Sequence, residues 1–396
     1  MNALKISDHA HWIGVKDPDL KVFDIIMATS RGTTYNAYLA KGTKTTVLID
    51  TVKREFSDEY FEHIEALTKY EDIQYLVVNH TEPDHSGAIV ELLERCPKLQ
   101  IICSASALPF VKNVINVEAP ITGIKDDYEI DLGGAKLVFK ILPYMHWPDT
   151  MMEYLVEDKV LFSCDGFAAH LAGSSPWADE CPVDAMEFEF KYYFDAIMRP
   201  FCGYIRRNLP KLDSLDIAMI APSHGPIIRK NPRHYIDLYK EWTVDRTEGS
   251  KRVTIFYATN YGNTRKMASA IASNLLLDGY DTTLMDVTAC SESDARDQIE
   301  RSVAVIIGTP TFNGDAPKPI WDVVNLFATV YSIGKKAAVF GSYGWGGEGA
   351  KLVTERLTGL KLKVYPEPFR ARLIPSEKEL AELNDFSRKL VEFLNG

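Results

Sequence analysis

The hydrophobic pattern changes rhythm once along the chain. In the first half, short apolar runs of strand length alternate with longer helical stretches and many polar loops. Residues 35–39 and 46–50 read as paired strands joined by a Lys-Gly turn, and 74–78, 136–142, 159–162 and 217–220 as further strands. Helices are predicted over 58–68, 88–95 and 187–208. Strand-then-helix order with many loops predicts a layered α/β domain. A polar, charged stretch with a glycine, residues 243–252, marks a boundary. The expected domains are residues 1–248 and 249–396.

Beyond the boundary, strands and helices alternate regularly. The β-branched run 253–257 leads into a helix over 264–278, with Met267, Ile271 and Leu275 spaced four apart on one face. Strands follow at 282–286, 303–308 and 337–341. The last helix opens with the capping box Ser376-x-x-Glu379 and carries Leu380, Leu383, Leu390 and Leu394. This order predicts a doubly wound parallel sheet.

The length, 396 residues, suits two domains. A formal net charge of −11 argues against a broad nucleic-acid or anionic-membrane surface, which needs a basic face. No run approaches the roughly 18 apolar residues of a spanning helix. The first residues lack the basic and apolar segments of a secretory signal. Cys96, Cys103, Cys164, Cys181, Cys202 and Cys290 form no Cys-x-x-Cys pair. That spacing fits neither a disulfide scaffold, a zinc ribbon nor a rubredoxin-type iron site, so free thiols in a reducing cytoplasm are expected.

Directly after the run 74–78 comes His80-Thr81-Glu82-Pro83-Asp84-His85. Two histidines and two acids packed so closely are hard to explain as structure, because like charges repel unless a cation offsets them. Pro83 rules out a helix interior, so the segment reads as a shaped loop. His146, Asp165 and His224 each follow a later predicted strand. Singly each reads as structural; together, all at strand C-terminal ends, they read as one converging site.

These residues resemble the metallo-β-lactamase fold, whose usual motif is His-x-His-x-Asp-His plus a later His, Asp and His. The chain departs at one point, where Glu82 stands in the place of the second His. A carboxylate makes the ligand set harder, which favours iron over zinc. Glu at that place resembles the flavodiiron proteins. The resemblance implies that His80, Glu82 and His146 hold one iron, that Asp84, His85 and His224 hold the other, and that Asp165 bridges them. His170 and Tyr193 then serve either as hydrogen-bond donors around the irons or as packing residues. Histidines expected there in some members are missing from residues 23–30.

The second constellation lies in the other half. The run 253–257 enters Ala258-Thr259-Asn260-Tyr261-Gly262-Asn263-Thr264 and then a helix. Backbone N–H groups and the helix dipole favour a phosphate there, and Thr259, Asn263 and Thr264 add side-chain donors. The loop lacks the Lys of a Walker A motif and the spacing of Gly-x-Gly-x-x-Gly. Two later loops, Pro310-Thr311-Phe312-Asn313-Gly314 and Ser342-Tyr343-Gly344-Trp345-Gly346-Gly347, also follow strand ends. Each offers an aromatic with small neighbours, suited to a flat ring. The three loops resemble flavodoxin, with the first holding the phosphate of FMN and the others its isoalloxazine.

A lactamase-like half followed by a flavodoxin half, together with Glu82, resembles the two-domain flavodiiron proteins over essentially the whole chain. The resemblance implies reduction of O2 to water, of NO to N2O, or both, with electrons delivered through FMN to a non-heme diiron site. It implies rubredoxin, or a reduced deazaflavin cofactor, as donor. It also implies a head-to-tail homodimer or a dimer of dimers; Trp147 and Trp345 are candidates either for the junction of the cofactors or for core packing. Two alternatives are a zinc hydrolase of lactamase type fused to a flavodoxin module, and an electron carrier with a decayed metal site. Glu82 argues against the first and the complete ligand set against the second.

Overall fold

A computed structural model describes residues 2–327 and 332–396. The chain divides into two compact units, Met1–Val244 and Asp245–Gly396.

The first unit is built on two sheets. One has seven strands in the order Leu4–Lys5, Ala10–Trp12, Tyr38–Lys41, Thr46–Ile49, Tyr75–Val78, Gln100–Ser104, Ile121–Ile124. The other has five: Glu129–Asp131, Lys136–Ile141, Met151–Leu155, Val160–Phe162, Met219–Ala221. Alternate side chains explain the layering. Val47, Ile49, Val77 and Ile102 of the first sheet share a core with Leu137, Phe139, Leu155 and Phe162 of the second. Their neighbours Leu48, Leu76, Val78, Leu161 and Ile220 belong to a second core with helical Tyr60, Phe61, Leu92, Phe190 and Tyr239. Both faces of each sheet are thus covered, giving an αββα sandwich. That is why a strand such as Thr46–Ile49 is buried along its whole length.

The second unit has a parallel sheet in the order Asp281–Asp286, Arg252–Tyr257, Ala304–Pro310, Lys336–Tyr343, with Lys363–Val364 and Phe369–Arg372 both pairing with the last. This is the flavodoxin order, which switches direction beside the first strand. Met267, Ile271 and Leu275 are fully buried against it, and the Ser376–Glu379 capping box opens the helix Glu377–Asn395.

Three expectations need correction. The stretch 187–208 is not one helix. It runs as the helix Val183–Tyr193, a π turn Phe194–Met198, a 3-10 turn Arg199–Phe201 and the helix Cys202–Asn208. Pro200 lacks an N–H and cannot continue the α-helical ladder. The stretch 35–39 is divided: Thr33–Tyr35 pairs with Val15–Asp17, whereas Tyr38–Lys41 joins the seven-stranded sheet. Between them the Asn36 side chain donates to the carbonyls of Pro222 and Gly225 at 2.8 and 2.9 Å. Finally, the loop at 80–85 runs into a short helix, Pro83–Ser86. Pro83 occupies its first turn, where a missing N–H is tolerated.

Candidate metal centre and flavin cradle

All seven candidate ligands of the first unit come together, each just past the C-terminal end of a strand. The side chains fall into two groups. His80 Nε2 and His146 Nε2 lie 2.9 and 3.6 Å from Glu82 Oε2, and 3.6 and 3.3 Å from Asp165 Oδ2. His85 Nε2 and His224 Nε2 lie 3.7 and 3.2 Å from the oxygens of Asp84, and 3.1 and 3.5 Å from Asp165 Oδ1. Asp165 therefore presents one oxygen to each group.

The backs of three imidazoles are fixed. His80 Nδ1 faces Asp149 Oδ1 at 3.3 Å, and Asp149 is itself held by the Thr81 backbone N–H and hydroxyl. His85 Nδ1 faces Asp50 Oδ2 at 3.5 Å. His224 Nδ1 lies 2.7 Å from the Thr34 carbonyl. A carbonyl only accepts, so His224 Nδ1 carries a proton, which leaves Nε2 as the nitrogen that can face a metal. Outer partners of this kind orient metal-binding histidines. Gly225, next to His224, is obligatory: its φ is +77°, and an added Cβ would fall 2.1 Å from the Ala169 carbonyl oxygen.

The charges fit metal ions. Burial disfavours ionised Asp84, yet His85 and His224 outweigh it and pull the carboxyl down to about 2. Burial likewise opposes a charged His80, but Asp149, Glu82 and Asp165 push it up to about 10. Both Asp84 oxygens and His85 Nε2 are buried without a hydrogen-bond partner. Orphaned polar atoms converging beside a carboxylate that faces two ways suit a pair of cations. Two histidines, one terminal carboxylate and a shared carboxylate at each position suit non-heme iron.

His170 and Tyr193 lie beside this centre. The His170 ring is 4.9 Å from Tyr193 and 5.4 Å from His224. Its Nδ1 is 2.8 Å from Thr33 Oγ1, while its buried Nε2 has no partner. Trp147 sets its ring edge-on at 4.7 Å from His80. Several neighbours were not anticipated. The hairpin of Val22–Phe23 and Met27–Ala28 places the Phe23 ring 4.3 Å from His170 and 5.2 Å from His224. At its tip, burial and the charges of Glu82 and Asp84 push Asp24 up to about 6. Asp50 and Asp149 were missed too, although each ends a predicted strand or follows His146 within three residues, the placement that singled out the others.

In the second unit the three loops also meet at one sheet edge. Gly262, at φ +84°, precedes the helix Asn263–Leu277, and its N–H donates to Thr259 Oγ1 at 3.0 Å. An added Cβ at Gly262 would meet nothing closer than an Arg265 side-chain nitrogen at 3.8 Å, so the N-terminal side of the helix is open to an anion. Thr264 Oγ1 lies 2.9 Å from Ser342 Oγ, joining the first loop to the third. Thr311 N donates to the Ser342 carbonyl at 2.9 Å, joining the second to the third. Asn313 and Gly314, both at positive φ, turn the second loop tightly. Tyr261, Phe312 and Trp345 are exposed around this edge. A helix N-terminus with clustered hydroxyls, flanked by exposed aromatics, fits a phosphate and a flat ring.

The fold and these two sites define the class: a lactamase-like metal-binding unit fused to a flavodoxin-like unit. Residues 33–225 match the ODP family beta lactamase model and residues 255–383 the flavodoxin model. The chain is 39% identical to a type A flavoprotein of Rhodobacter capsulatus over 99% of this chain and 91% of that protein. It is 32% identical to a nitric oxide reductase of Moorella thermoacetica, covering 97% of each. Its structure resembles rubredoxin oxygen:oxidoreductase of Desulfovibrio gigas, with a TM-score of 0.69, 29% identity, and coverage of 100% of this chain and 99% of that one. The chain belongs to the flavodiiron proteins, a family of oxidoreductases.

Proposed function

We propose that this chain reduces O2 to water, NO to N2O, or both, at a diiron centre fed with electrons through FMN. The cofactors are FMN and two non-heme irons. His80, Glu82 and His146 would hold one iron and Asp84, His85 and His224 the other, with Asp165 presenting an oxygen to each group; residues 1–248 would form the diiron domain and 249–396 the FMN domain. The observation that carries the reading is the split of Asp165, with its two oxygens shared between two His-carboxylate groups.

When bound, two ferrous ions and reduced FMN supply four electrons, the number that takes O2 to two waters, while two NO need two for N2O and water. The chain's own work is placement. Asp149, Asp50 and the Thr34 carbonyl aim the imidazoles. Phe23, Trp147 and Tyr193 pack around the histidines and limit access by water. In the flavin unit, the loops 259–264, 310–314 and 342–347 bind phosphate and ring.

The donor we propose is a rubredoxin or a reduced deazaflavin cofactor, the assembly a head-to-tail homodimer or a dimer of such dimers, and the location the cytoplasm. No helix among the described residues is long and apolar enough to cross a membrane. The test is gas consumption by iron- and FMN-loaded protein, followed with O2 and NO electrodes and an excess of reduced rubredoxin. Consumption of either gas, without peroxide in the case of O2, supports the proposal and ranks the substrates. No consumption, with the flavin shown to be reduced, sinks it and brings forward the zinc hydrolase.

A further inference from the structure

The strand Phe369–Arg372 runs parallel to Lys336–Tyr343, setting Arg370 opposite Gly341 and Arg372 opposite Tyr343. This register carries both arginines to the sheet edge where the loop 342–347 begins. Arg372 Nε donates to the Gly344 carbonyl at 3.1 Å, and Arg370 Nη1 to the Gly347 carbonyl at 3.4 Å. The neighbouring Leu373 N–H donates to the Tyr343 carbonyl at 2.8 Å.

Glu379, the acid best placed to neutralise Arg372, is occupied elsewhere. Its Oε2 accepts from the backbone N–H and hydroxyl of Ser376, and its Oε1 from the backbone N–H of Arg372. The capping box of the last helix thus fixes the end of the strand and leaves the guanidinium to the loop. Among the described residues, neither Arg370 nor Arg372 forms an ion pair with a carboxylate. Both guanidinium groups are therefore anchored on glycine carbonyls of one loop rather than paired directly with a carboxylate. Trp345 of that loop is 76% exposed.

We propose that Arg372, supported by Arg370, is a positioning residue for the flavin: it clamps the loop 342–347 and sets a fixed positive charge that favours the reduced cofactor. The proposal rests on the reading of that loop as part of the FMN site. Two-electron reduction leaves negative charge on the flavin ring, and charge near its nitrogens tunes its potential. A guanidinium stays protonated throughout. Its planar fork also holds a carbonyl in a fixed direction, which an ammonium does not.

The experiment compares full-length FMN-loaded wild type with Arg372→Gln, Arg372→Lys and, as a remote exposed control, Arg388→Gln. FMN dissociation constants come from flavin fluorescence and midpoint potentials from spectroelectrochemical titration. Arg372→Gln is expected to bind FMN about three- to tenfold more weakly, as for one lost charge-assisted hydrogen bond, and to have a more negative potential. Arg372→Lys should recover the potential but not the affinity, and Arg388→Gln should change neither. If Arg372→Gln binds FMN as wild type does and keeps its potential, the clamp is wrong and the cradle stands. If Lys fails to restore the potential, the role of charge is wrong. If wild type binds no FMN, or Trp345→Ala leaves its affinity and flavin spectrum unchanged, the cradle reading falls and takes this proposal with it.

Discussion

Asn79 and Glu153 join the two sheets of the first unit beside the loop 80–85 that carries four candidate metal ligands. Asn79 Nδ2 donates to Glu153 Oε2 at 3.0 Å, with both side chains buried. The Asn79 backbone N–H donates to Asp50 Oδ1 at 2.8 Å, and Asp50 in turn faces His85. Asn79 Oδ1 and Glu153 Oε1 are both left without a partner. A neutral carboxyl supplies the donor that this pair of acceptors lacks.

Glu153 should therefore be protonated in the folded protein. Burial, then the charge of Asp50, raises its pKa well above the ordinary 4.5. The folded state holds this proton more tightly than the unfolded chain. Its stabilising contribution is complete below about pH 4.5 and is lost as pH rises toward the folded pKa. Glu153→Gln keeps the shape and can serve both Asn79 groups, so it should remove this pH dependence and keep the fold. Glu153→Ala should cost about 2–4 kcal/mol through a cavity and an unpaired amide. Urea midpoints of wild type and both variants between pH 5 and 8 decide it. Equal pH slopes in wild type and the Gln variant would show that Glu153 is ionised.

The seven candidate ligands were legible because clustered acids and histidines at strand ends have few structural uses. Their supports were harder to find. Asp50, Asn79 and Glu153 are scattered in sequence and become neighbours only through register between distant strands. Glu153 sits inside a strand whose other residues are apolar or large, and nothing local marks it as buried and paired. The fold class was readable from rhythm in the flavodoxin-like unit, where each of the four predicted strands is followed by a helix. In the lactamase-like unit the short strands at the N-terminus left no such trace, so the Phe23 hairpin over the metal centre went unread. The break at Pro200 was visible in the sequence, yet apolar spacing on both sides hid it.

Because Asp165 faces both groups, its removal should empty both positions. Asp165→Ala, loaded anaerobically with ferrous iron, is expected to retain well under one iron per chain. The loss should exceed the ~10–100-fold typical of removing an outer partner of a metal ligand. His146→Ala, which touches one group only, should retain about one iron, as expected of a carboxylate-bridged pair. Elemental analysis against protein concentration gives the counts. Equal retention in the two variants would show that Asp165 does not bridge.

Metal uptake should also depend on pH, in a known direction. Against the effect of burial, carboxylates push His80 up to about 10 and raise His85 and His224 as well. These imidazoles bind protons at neutral pH that a metal must displace, whereas Asp84, pulled to about 2, is already ionised. Ferrous iron should therefore release protons on binding, and its affinity should rise with pH between 6 and 8. Calorimetry in two buffers of different ionisation enthalpy counts the protons, and competition with a chelator gives the affinities. No proton release and a flat affinity would mean that the histidines are neutral before metal arrives.

At Gly262, backbone conformation and ligand space act together. Its φ of +84° is a region that a β-branched residue enters only at a cost of about 1–3 kcal/mol. The space beside it is open in the protein, so Gly262→Val need not clash with the fold; it would fill the approach of a phosphate to the helix N-terminus. Gly262→Ala should weaken FMN modestly, and Gly262→Val should largely abolish flavin content. Thr264→Val, which removes the hydroxyl beside Ser342, should weaken binding about tenfold. Flavin-to-protein absorbance ratios after reconstitution give the order, and iron content provides the control, since the metal ligands lie in the other unit. If the Val variant at 262 retained full flavin and lost iron instead, the phosphate would not be bound at this helix, and the assignment of the first loop would be wrong.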